Sequence, residues 1–594
     1  MRNNIQGEVV SKITVDQKTI RELLTDKKSI FLIPDYQRPY AWEEEQCQTL
    51  WDDVFTFAIP DDDRDKFNSD DEYFLGSIVT FKNSQGRLEV IDGQQRLTTF
   101  LLILRAFYDK FSRMQDQTSQ DMYKIISQCI WSTDEFGRPD LEQLKIDSEV
   151  ATDNDKDEFL EILRTGDVPS SYRSKYANNF RFFQNKIQEL SDKYMDYPLY
   201  FLTRILNNCV ILPIEAESQD TALRIFSTLN DRGLPLSDAD IFKAQFYKYY
   251  SAKGEKDDFI ANWKRLEDIT EQIFSPPTGT PMDELFTRYM YYLRAQQGIK
   301  SSTVESLRRF FERSKYVLLR NDHAIEDLID LAVFWQDVAG QDKERFTPEV
   351  LRKLFVLNYA PNSVWQYITS VYFMKNKIDK GDNKDILDNE KFKGFLDKIT
   401  AFIYAYAVYN PGVNQLRTPV FAEMIKIIND KKVDFIREDG KKWIELSRLS
   451  ELLNSYGFTN GRPITRSLLT WYAFSYNSQQ LLDIDQKFEI EHVFAKKRQE
   501  IEQTLVDPSN LESIGNKIML EKGINIRAAD YRFSDKKRYY LGYTDDKGRR
   551  HEASAIYEYS ELVKEDDFTE EHIQSRRDAL FTKFKEMLTA EQVV

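Results

Sequence analysis

The sequence predicts a multidomain α+β protein that is mostly helical, and three observations lead to this prediction. The chain has 594 residues, enough for roughly three domains at about 100–200 residues each. Short β-like runs alternate with helical patterns near the N-terminus, whereas residues 255–445 are almost wholly helix-patterned. The pattern changes again near residue 446, where strand-like runs return. We therefore predict domains at residues 1–250, 251–445 and 446–594.

The first predicted domain is a mixed α/β module. Apolar runs between polar turns predict strands, and "NSQGR" at residues 83–87 predicts a turn that joins two of them. Asn230 and Gly233 break one helix, and Ser237 with Asp240 resembles a capping box that begins the next. The predicted strands are 29–33, 73–81, 87–91 and 209–216, and the predicted helices are 16–25, 43–58, 97–113 and a charged helical stretch over about 120–200.

The other two predicted domains differ from each other in pattern. Residues 255–445 carry aromatic side chains at helical spacing and few glycines, which predicts a helical middle. In the last domain "KFEIEHVFAKKR" is a strand-like run that ends in an acid and a histidine. The later stretch "SIGNKIMLEKGINIRAADYRFSDKKRYY" predicts a strand, a loop and a basic helix.

Composition indicates a folded protein of a reducing compartment. Hydrophobic residues make up 41% of the chain, with 40 Phe and 32 Tyr, which argues against disorder. No apolar run approaches the ~18 residues of a membrane helix, and residues 1–17 lack the apolar core of a signal peptide. Cys47, Cys129 and Cys209 are widely spaced and form no CxxC motif. They predict a cytoplasmic protein and argue against a cysteine-based zinc site.

The net charge of −16 does not favour general nucleic-acid binding, so any contact with DNA must be regional. Residues 61–72 form an acidic stretch, for which a solvated loop is the simplest interpretation. Residues 484–550 hold 14 Lys and Arg against 12 Asp and Glu, which makes this region mildly basic. Such a balance permits DNA binding without requiring it.

A first candidate site lies in "RLEVIDGQQRLTTFLLILRAF", where a strand turns into an apolar helix. A helix N-terminus binds phosphates through free N–H groups and its partial positive charge. Gly93 allows close backbone approach, Arg96 can clamp phosphate oxygens, and Asp92 can hold a cation or orient a water. A structural interpretation fits this stretch equally well: Asp92 caps the helix, Gly93 makes the turn, and Gln94, Gln95 and Arg96 face solvent. The P-loop signature is absent.

A second stretch, "IPDYQRPYAWEEEQCQTLWDDV" at residues 33–54, supports a binding site near this turn. Its two prolines pin an extended loop, and aromatic side chains beside an arginine on a rigid loop suit stacking on a base. The loop displays Tyr36, Gln37, Arg38, Tyr40 and Trp42. For Tyr40, Trp42 and Trp51 the favoured interpretation is instead packing of the loop against its own helix.

Four segments in this order, "IPDYQRPYAW", "FLGSIVTF", "IDGQQRLTT" and "IFSTLNDRGLPLSDADIFKAQF", resemble the N-terminal module of GmrSD-type restriction proteins. They also resemble the same module in phosphorothioate-sensing phage-defence nucleases. The resemblance implies a ParB/sulfiredoxin-like fold that binds and hydrolyses nucleoside triphosphates, with Asp92 as a catalytic residue. It implies that Asn230, Arg232 and Gly233 sit beside the nucleotide, and that the nucleotide-binding residues are Gln37, Arg38, Gly93, Gln94, Gln95 and Arg96.

The second candidate site is "FEIEHVFAKK", which contains one of only four histidines. A Glu-His pair at a strand end is what a one-metal HNH nuclease needs. The carboxylate of Glu491 would help to hold a divalent ion, and His492 would deprotonate the attacking water. Asn516 and Asn525 in the following stretch are candidates for a further ligand. The structural interpretation is that Glu491 and His492 form an ordinary polar strand end and that the asparagines form turns.

"IEHVFAKK…SIGNKIMLEKGINIRA" resembles the ββα-metal (HNH, His-Me finger) nuclease module, which is usually fused to the GmrSD-type N-terminal module. The resemblance implies that Glu491 and Asn525 are metal ligands for Mg²⁺ or Mn²⁺ and that His492 is the general base. It implies that Asn516 orients the loop or the histidine. The family usually carries a proline three residues after the histidine, where this chain has Ala495. On the basic helix, Lys536, Lys537 and Arg538 are predicted to grip the DNA backbone.

These inferences combine into one hypothesis with two alternatives. The hypothesis is an NTP-regulated, modification-dependent (type IV) endonuclease or nickase of bacterial antiphage defence, acting on double-stranded phage DNA that carries, for example, glucosylated hydroxymethylcytosine. The first alternative is a phosphorothioate-sensing defence nuclease with NTPase activity. A variant of the nuclease hypothesis, in which the N-terminal module only senses DNA without turnover, also stays open. The second is a nucleotide-regulated DNA-binding protein with an inactive nuclease module. No membrane contact is expected, and a homodimer is one option for the oligomeric state.

Overall fold

The structure is a computed structural model that describes residues 14–15, 17–150, 153–219, 221–223, 225, 237–276, 278–378, 386–529 and 532–594. The chain divides into two compact units, residues 1–264 and 265–594. The finer division at residues 250 and 445 stays a prediction. The predicted helix break at Asn230 and Gly233, and the site residue Arg232, lie outside the described residues.

A mixed sheet of seven strands organises the first unit, in the order β1-β9-β4-β5-β3-β8, with β2 paired to β9. A tight turn joins β4 to β5 as an antiparallel hairpin, while β3 runs parallel to both β5 and β8. A separate ribbon pairs β6 with β7. The strands are β1 Thr14–Val15, β2 Lys18–Thr19, β3 Phe31–Ile33, β4 Tyr73–Lys82, β5 Leu88–Asp92, β6 Trp131–Thr133, β7 Pro139–Leu144, β8 Ile146–Ser148 and β9 Cys209–Ala216.

Helices pack on this sheet because their apolar residues recur on one face, and the helix after β5 is buried almost all round. It contributes Phe100, Leu101 and Leu104 to the largest core of the unit. The capping box predicted at Ser237 and Asp240 is present. The helices are α1 Ile20–Thr25, α2 Glu44–Ala58, α3 Gln94–Ser112, α4 Gln117–Ile130, α5 Lys156–Thr165, α6 Lys175–Lys193, α7 Tyr197–Asn208, α8 Asp238–Lys253 and α9 Lys256–Ile273, the last crossing residue 264.

Strands β6 to β8 correct the expectation that residues 120–200 are entirely helical. In β7 the side chains of residues 140–143 are exposed and mostly polar, so no alternation marks the strand in the sequence. Its backbone is instead satisfied by pairing with β6. Pairing with distant strands decides the structure here, and such pairing cannot be inferred from local periodicity.

The second unit is helical around a small β-hairpin. Its helices are α10 Pro281–Gln296, α11 Leu307–Arg313, α12 Ala324–Ala339, α13 Pro348–Asn358, α14 Val364–Asn376, α15 Asn389–Tyr409, α16 Val413–Ile428, α17 Leu446–Ser455, α18 Pro463–Phe474, α19 Lys496–Glu502, α20 Lys522–Ala528, α21 Phe533–Leu541, α22 Glu558–Leu562 and α23 Glu570–Ala590. Two antiparallel pairs, β10 Phe488–His492 with β11 Lys517–Glu521 and β12 Tyr543–Thr544 with β13 Arg550–His551, complete it.

The predicted class, a mostly helical multidomain α+β protein, is confirmed. The ParB/sulfiredoxin-like and HNH assignments stay predictions. In the part of the chain that the structure describes, no helix combines the length and apolar character needed to cross a membrane.

Candidate functional sites

The first candidate site forms where the loop after β3 meets the turn from β5 into α3. The amide of Gln37 donates to the carbonyl of Ile91 at 3.2 Å, and the amide of Gln94 donates to the carbonyl of Arg38 at 3.1 Å. The structure therefore brings together the two sequence segments that were predicted to share a site.

Gln94 and Gln95 are buried, with 6% and 7% of their surface exposed. The amide of Gln95 accepts from the backbone N–H of Ala41 at 2.8 Å and donates to the carbonyl of Pro39 at 3.3 Å. The structural interpretation, in which these side chains face solvent, is therefore wrong for both. They fix the backbone of the loop against the helix, because Gln95 uses both of its amide atoms on main-chain partners and Gln94 uses its amide nitrogen.

Gly93 makes the turn and is the residue that precedes the first turn of α3. Its φ of +89° is in the left-handed region, and a Cβ would lie 2.8 Å from a side-chain carbon of Ile78. Because glycine has no side chain, α3 begins without a side-chain cap. The expectation that Asp92 caps the helix is therefore corrected. The first N–H groups of α3 keep the anion-binding character of an uncapped helix N-terminus.

Charges converge on this turn. Arg96 donates to the carbonyl of Leu75 at 2.8 Å and lies 3.5 Å from a carboxylate oxygen of Asp92. Burial raises the pKa of Asp92, and the charges of Arg96 and Arg38 oppose that rise. The side-chain oxygen of Gln94 is buried with no hydrogen-bond partner among the described residues. The turn thus combines two guanidinium groups, an uncapped helix end and an unused buried acceptor.

The aromatic residues of the loop serve packing. Tyr40 is buried, stacks on Tyr176 with ring centroids 4.8 Å apart, and shares a hydrogen bond of 2.7 Å with Thr99. Trp51 packs in the same core, and Trp42 packs against its edge, as expected. Tyr36 is buried as well, in a smaller cluster. The suggestion that these rings stack on a base is not supported, since burial occupies their faces.

The second candidate site is built on the β10–β11 hairpin. His492 lies opposite Lys517, and Glu491 lies opposite Ile518. Because neighbouring side chains on a strand point to opposite faces, Glu491 and His492 face different surroundings. Their contacts agree, since His492 lies near Glu512 whereas Glu491 contacts α21.

His492 is mostly buried, next to a carboxylate. Its imidazole is 13% exposed, and its Nε2 atom lies 3.7 Å from a carboxylate oxygen of Glu512. Burial, with the charge of Lys517, lowers the pKa of His492 to about 4, although Glu512 opposes the shift. The imidazole is therefore neutral at pH 7, and the same surroundings make it a weaker base than a free histidine. Nε2 has no hydrogen-bond partner among the described residues.

Glu512, Lys496 and Lys517 complete this cluster, and the sequence reasoning missed all three. Lys517 is buried and donates to Glu512 at 2.7 Å, and Lys496 is 2.5 Å from the other carboxylate oxygen. Burial alone would raise the pKa of Glu512, but the two ammonium groups outweigh it and lower the pKa to about 2. Lys517 directly follows Asn516 and so could have been noticed, whereas no spacing marks Glu512.

Asn516 holds the backbone that follows the histidine. It is fully buried, its amide oxygen accepts from the N–H of Phe494 at 2.7 Å, and its amide nitrogen donates to the carbonyls of Phe494 and Leu511. This geometry is what orienting the loop requires. Asn516 lies directly before β11.

The predicted metal ligands do not fit a divalent ion as they are arranged. Glu491 is buried and accepts from Lys536 at 2.6 Å, and Asn525 donates its amide N–H to Glu489 at 2.9 Å. Asn525 lies in α20, ahead of the basic helix. Among the residues described, no three His, Cys, Asp or Glu side chains are grouped so that they could hold a metal. Lys536 is 1% exposed, which contradicts its predicted contact with DNA.

Lys537 and Arg538 remain accessible on α21, where a second basic element adjoins them. The guanidinium of Arg538 lies 4.7 Å from the ring centroid of Tyr543, the first residue of β12. Asp545 fixes the hairpin by accepting from Arg549 at 2.8 Å. The hairpin also presents Lys547 and Arg550 to solvent. Basic and aromatic side chains thus form one surface, which suits a nucleic-acid backbone.

Comparison with protein families finds two matches. The model described as GmrSD restriction endonuclease, N-terminal domain, matches residues 20–247, which include the first candidate site. The model described as GmrSD restriction endonucleases, C-terminal domain, matches residues 443–583, which include the second. Together the two matches cover more than half of the chain. Among curated proteins, none matches this sequence.

Proposed function

Because the chain belongs to the GmrSD restriction endonuclease family, we propose that it is a modification-dependent DNA endonuclease or nickase of antiphage defence. The N-terminal site binds and hydrolyses a nucleoside triphosphate, and this hydrolysis regulates DNA cleavage by the second unit. The substrate is double-stranded phage DNA that carries a modification such as glucosylated hydroxymethylcytosine. A phosphorothioate backbone is the alternative modification, and the same experiment tests both.

The observation that carries the nuclease proposal is His492 at the end of β10, whose Nε2 atom has no hydrogen-bond partner among the described residues. Its Nε2 atom takes a proton from a water molecule as the water oxygen bonds to the phosphorus of a phosphodiester. The P–O bond to the leaving DNA strand then breaks, and the leaving oxygen takes up a proton from solvent. Lys496, whose side chain is 52% exposed beside Glu512, lies where it can face the phosphate charge. Asn516 keeps the backbone after His492 in place.

The nucleotide proposal rests on the turn at Gly93. An uncapped helix N-terminus binds phosphate oxygens, and Arg38 with Arg96 supplies charge-assisted hydrogen bonds. The unused oxygen of Gln94 offers an acceptor for a ribose hydroxyl or a bound water. Asp92, whose pKa is raised by burial, is the candidate for orienting the attacking water.

A requirement for Mg²⁺ or Mn²⁺ stays a prediction from the family resemblance, and no step above passes through a metal. The pairing of Glu491 with Lys536 favours one further candidate function, a nucleotide-regulated DNA-binding protein with a silent nuclease module. That candidate predicts NTP hydrolysis and DNA binding without cleavage.

The test is cleavage of paired DNA substrates by the full-length protein. Unmodified, glucosyl-hydroxymethylated and phosphorothioated duplexes are incubated with Mg²⁺, Mn²⁺ or EDTA, each with and without NTP. We expect cleavage of one modified substrate only, its dependence on NTP, and its loss in His492→Ala, which retains NTP hydrolysis. Cleavage by His492→Ala at the wild-type rate would reject the assignment of the base. No cleavage of any substrate, with NTP hydrolysis intact, would support the silent module.

A further inference from the structure

Lys536 is unusual for a lysine because its side chain is fully buried. Its side chain is 1% exposed, and its ammonium donates to a carboxylate oxygen of Glu491 at 2.6 Å and to the backbone carbonyl of His492 at 2.7 Å. Lysine is almost never fully buried unless it is paired. The ammonium therefore ties α21 to the end of β10, at the two residues on which the nuclease prediction depends.

The carboxylate of Glu491 is also contacted by Tyr540. The phenol hydroxyl donates to the same carboxylate oxygen at 2.7 Å. Burial and the charge of Glu491 raise the pKa of Tyr540 well above its ordinary value, so the phenol stays protonated and remains a donor. One oxygen of Glu491 thus receives two short hydrogen bonds, one of them from a cation.

A buried carboxylate needs a positive partner, and only one cation can hold a given position. A divalent ion coordinates a carboxylate oxygen at about 2.0–2.1 Å, so it would lie close to an ammonium that binds the same oxygen, as Lys536 does here. Two positive groups in contact would also repel each other strongly in a site of low dielectric constant. Ligation of a metal by Glu491 therefore requires Lys536 to move away.

We propose that Lys536 is a built-in cation of this site, and that its ammonium and a divalent metal ion bind Glu491 in a mutually exclusive way. The inference rests on the proposed function only in taking residues 488–541 as the nuclease site. As a consequence, Glu491 cannot act as a metal ligand while its ion pair with Lys536 is intact. A metal-dependent reaction then needs a change at α21 first.

The test is Mn²⁺ binding to the full-length protein, measured by calorimetry without DNA or NTP. The variants are Lys536→Met, the double variant Lys536→Met with Glu491→Gln, and Lys537→Met as a matched control on the same helix. We expect Lys536→Met to bind one Mn²⁺ about tenfold or more tightly than wild type, because a competing ammonium is gone. The double variant loses this gain, and Lys537→Met behaves like wild type.

Equal Mn²⁺ binding by wild type and Lys536→Met would overturn the proposal, as would a gain that survives in the double variant. A second measurement uses wild type, with Glu491→Gln as its reference, and does not depend on the folding of Lys536→Met. Amine acylation read by mass spectrometry should leave Lys536 protected and label Lys537 in the absence of metal. Mn²⁺ that binds through Glu491, which Glu491→Gln identifies, should make Lys536 reactive.

Bound Mn²⁺ that depends on Glu491, with Lys536 still protected, would show that both cations share the carboxylate and would overturn the proposal. Wild type that binds no Mn²⁺ through Glu491 and protects Lys536 agrees with it. Neither readout involves cleavage, so failure of this inference and failure of the proposed nuclease function are separate results.

Discussion

The chemistry of His492 is controlled by burial and by the lysines around it. Lys517 and Lys496 disfavour a second positive charge, while Glu512 only partly compensates for them. An imidazole held neutral in this way is unprotonated over the whole physiological pH range, and its surroundings oppose the uptake of a proton. The same environment has a consequence for stability that can be measured without any substrate.

Acid should destabilise the second unit through His492. The pKa of His492 is lowered to about 4 in the folded chain, from 6.5, so between these values the unfolded chain binds a proton that the folded chain does not. The contribution of His492 to the free energy of unfolding is therefore fully present above pH 6.5 and is lost as the pH drops towards 4. Between pH 7.5 and 5, we expect wild type to lose about 2 kcal/mol more than His492→Gln.

Urea unfolding of both full-length proteins at the two pH values, monitored by tryptophan fluorescence, measures this difference. Comparison with His492→Gln removes the contribution of other groups that titrate in the same range. Equal losses in the two proteins would mean that the imidazole takes up a proton without penalty and is not held neutral by its surroundings.

Asn516 should be among the most sensitive polar residues of the second unit. Replacement by alanine leaves the N–H and the carbonyl of Phe494 and the carbonyl of Leu511 without this partner. Buried groups that lose their partners cost about 1–3 kcal/mol each, partly relieved by relaxation, so we expect Asn516→Ala to lose roughly 2–4 kcal/mol. Differential scanning calorimetry or urea unfolding provides the measurement.

Asn525→Ala is the matched control. Asn525 is half-buried and makes one side-chain hydrogen bond, to Glu489, so we expect a loss below about 1 kcal/mol. If Asn516→Ala were no more destabilising than Asn525→Ala, the network around Phe494 would not determine the geometry of the loop after the histidine.

Residue positions were easier to predict than the directions in which their side chains point. Gln37, Arg38 and the turn at Asp92 were correctly predicted to lie close together. The two segments follow β3 and β5, which are neighbouring strands of one sheet. No sequence signal indicated that Gln94 would bind backbone. Alternation along a strand could have separated Glu491 from His492. The burial of Lys536 could not have been foreseen, because lysine is nearly always exposed.

At the scale of elements, strands were predictable where they are apolar and continuous. The run Cys209–Ala216 was predicted with its observed bounds, because a run of mainly apolar residues bounded by polar ones is characteristic of a buried strand. The β10 strand was found as well, although its apolar residues Phe488 and Ile490 alternate with Glu489 and Glu491. The strands between residues 131 and 148 were missed, since β7 carries exposed polar residues and depends on its partner strand.

The β12–β13 hairpin and α21 should contact DNA together. We expect Lys547→Ala with Arg550→Ala to weaken binding of the full-length protein to duplex DNA irrespective of sequence. Each lost phosphate contact should reduce the slope of log K against log salt by about 1. Lys537→Ala with Arg538→Ala should act in the same way. Fluorescence anisotropy in the His492→Ala background, at several salt concentrations, provides the measurement.

Lys343→Ala with Lys432→Ala is the control for charge, because both lysines are exposed in the same unit and lie outside the matched C-terminal domain. The prediction is contradicted if this control changes the salt slope as much as the hairpin variant does. Asp545, which accepts from Arg549, is left unchanged so that the hairpin keeps its shape.

At the scale of the whole molecule, the chain carries two candidate sites in two separately packed units, and each unit contains one matched family domain. Composition and periodicity were sufficient to predict the α/β start, the helical middle and the return of strands after residue 446. They could not show that residues 265–594 pack as one unit, because packing between helices leaves no local signal in periodicity. Regulation of cleavage by the nucleotide requires that the state of the first site changes the activity of the second.

Arg96→Ala tests this coupling by weakening nucleotide binding and measuring the effect on DNA cleavage. Loss of a charge-assisted contact to phosphate, worth about 1.5–3 kcal/mol, should raise the Kd for NTP roughly 10- to 100-fold. If hydrolysis regulates cleavage, DNA cutting by Arg96→Ala should fall at low NTP and recover as NTP approaches saturation, while DNA binding stays unchanged. Arg113→Ala, at the other end of α3 and exposed, should leave all three quantities at wild-type values.

His492→Ala provides the reciprocal measurement, since it should remove cleavage and leave NTP hydrolysis in place. A chain in which Arg96→Ala loses hydrolysis yet cuts modified DNA at the wild-type rate, at every NTP concentration, would contain two independent activities. Parallel losses that NTP restores would instead identify the nucleotide as the control of the nuclease. That control is physically reasonable, because an unregulated nuclease would damage the DNA of its own cell.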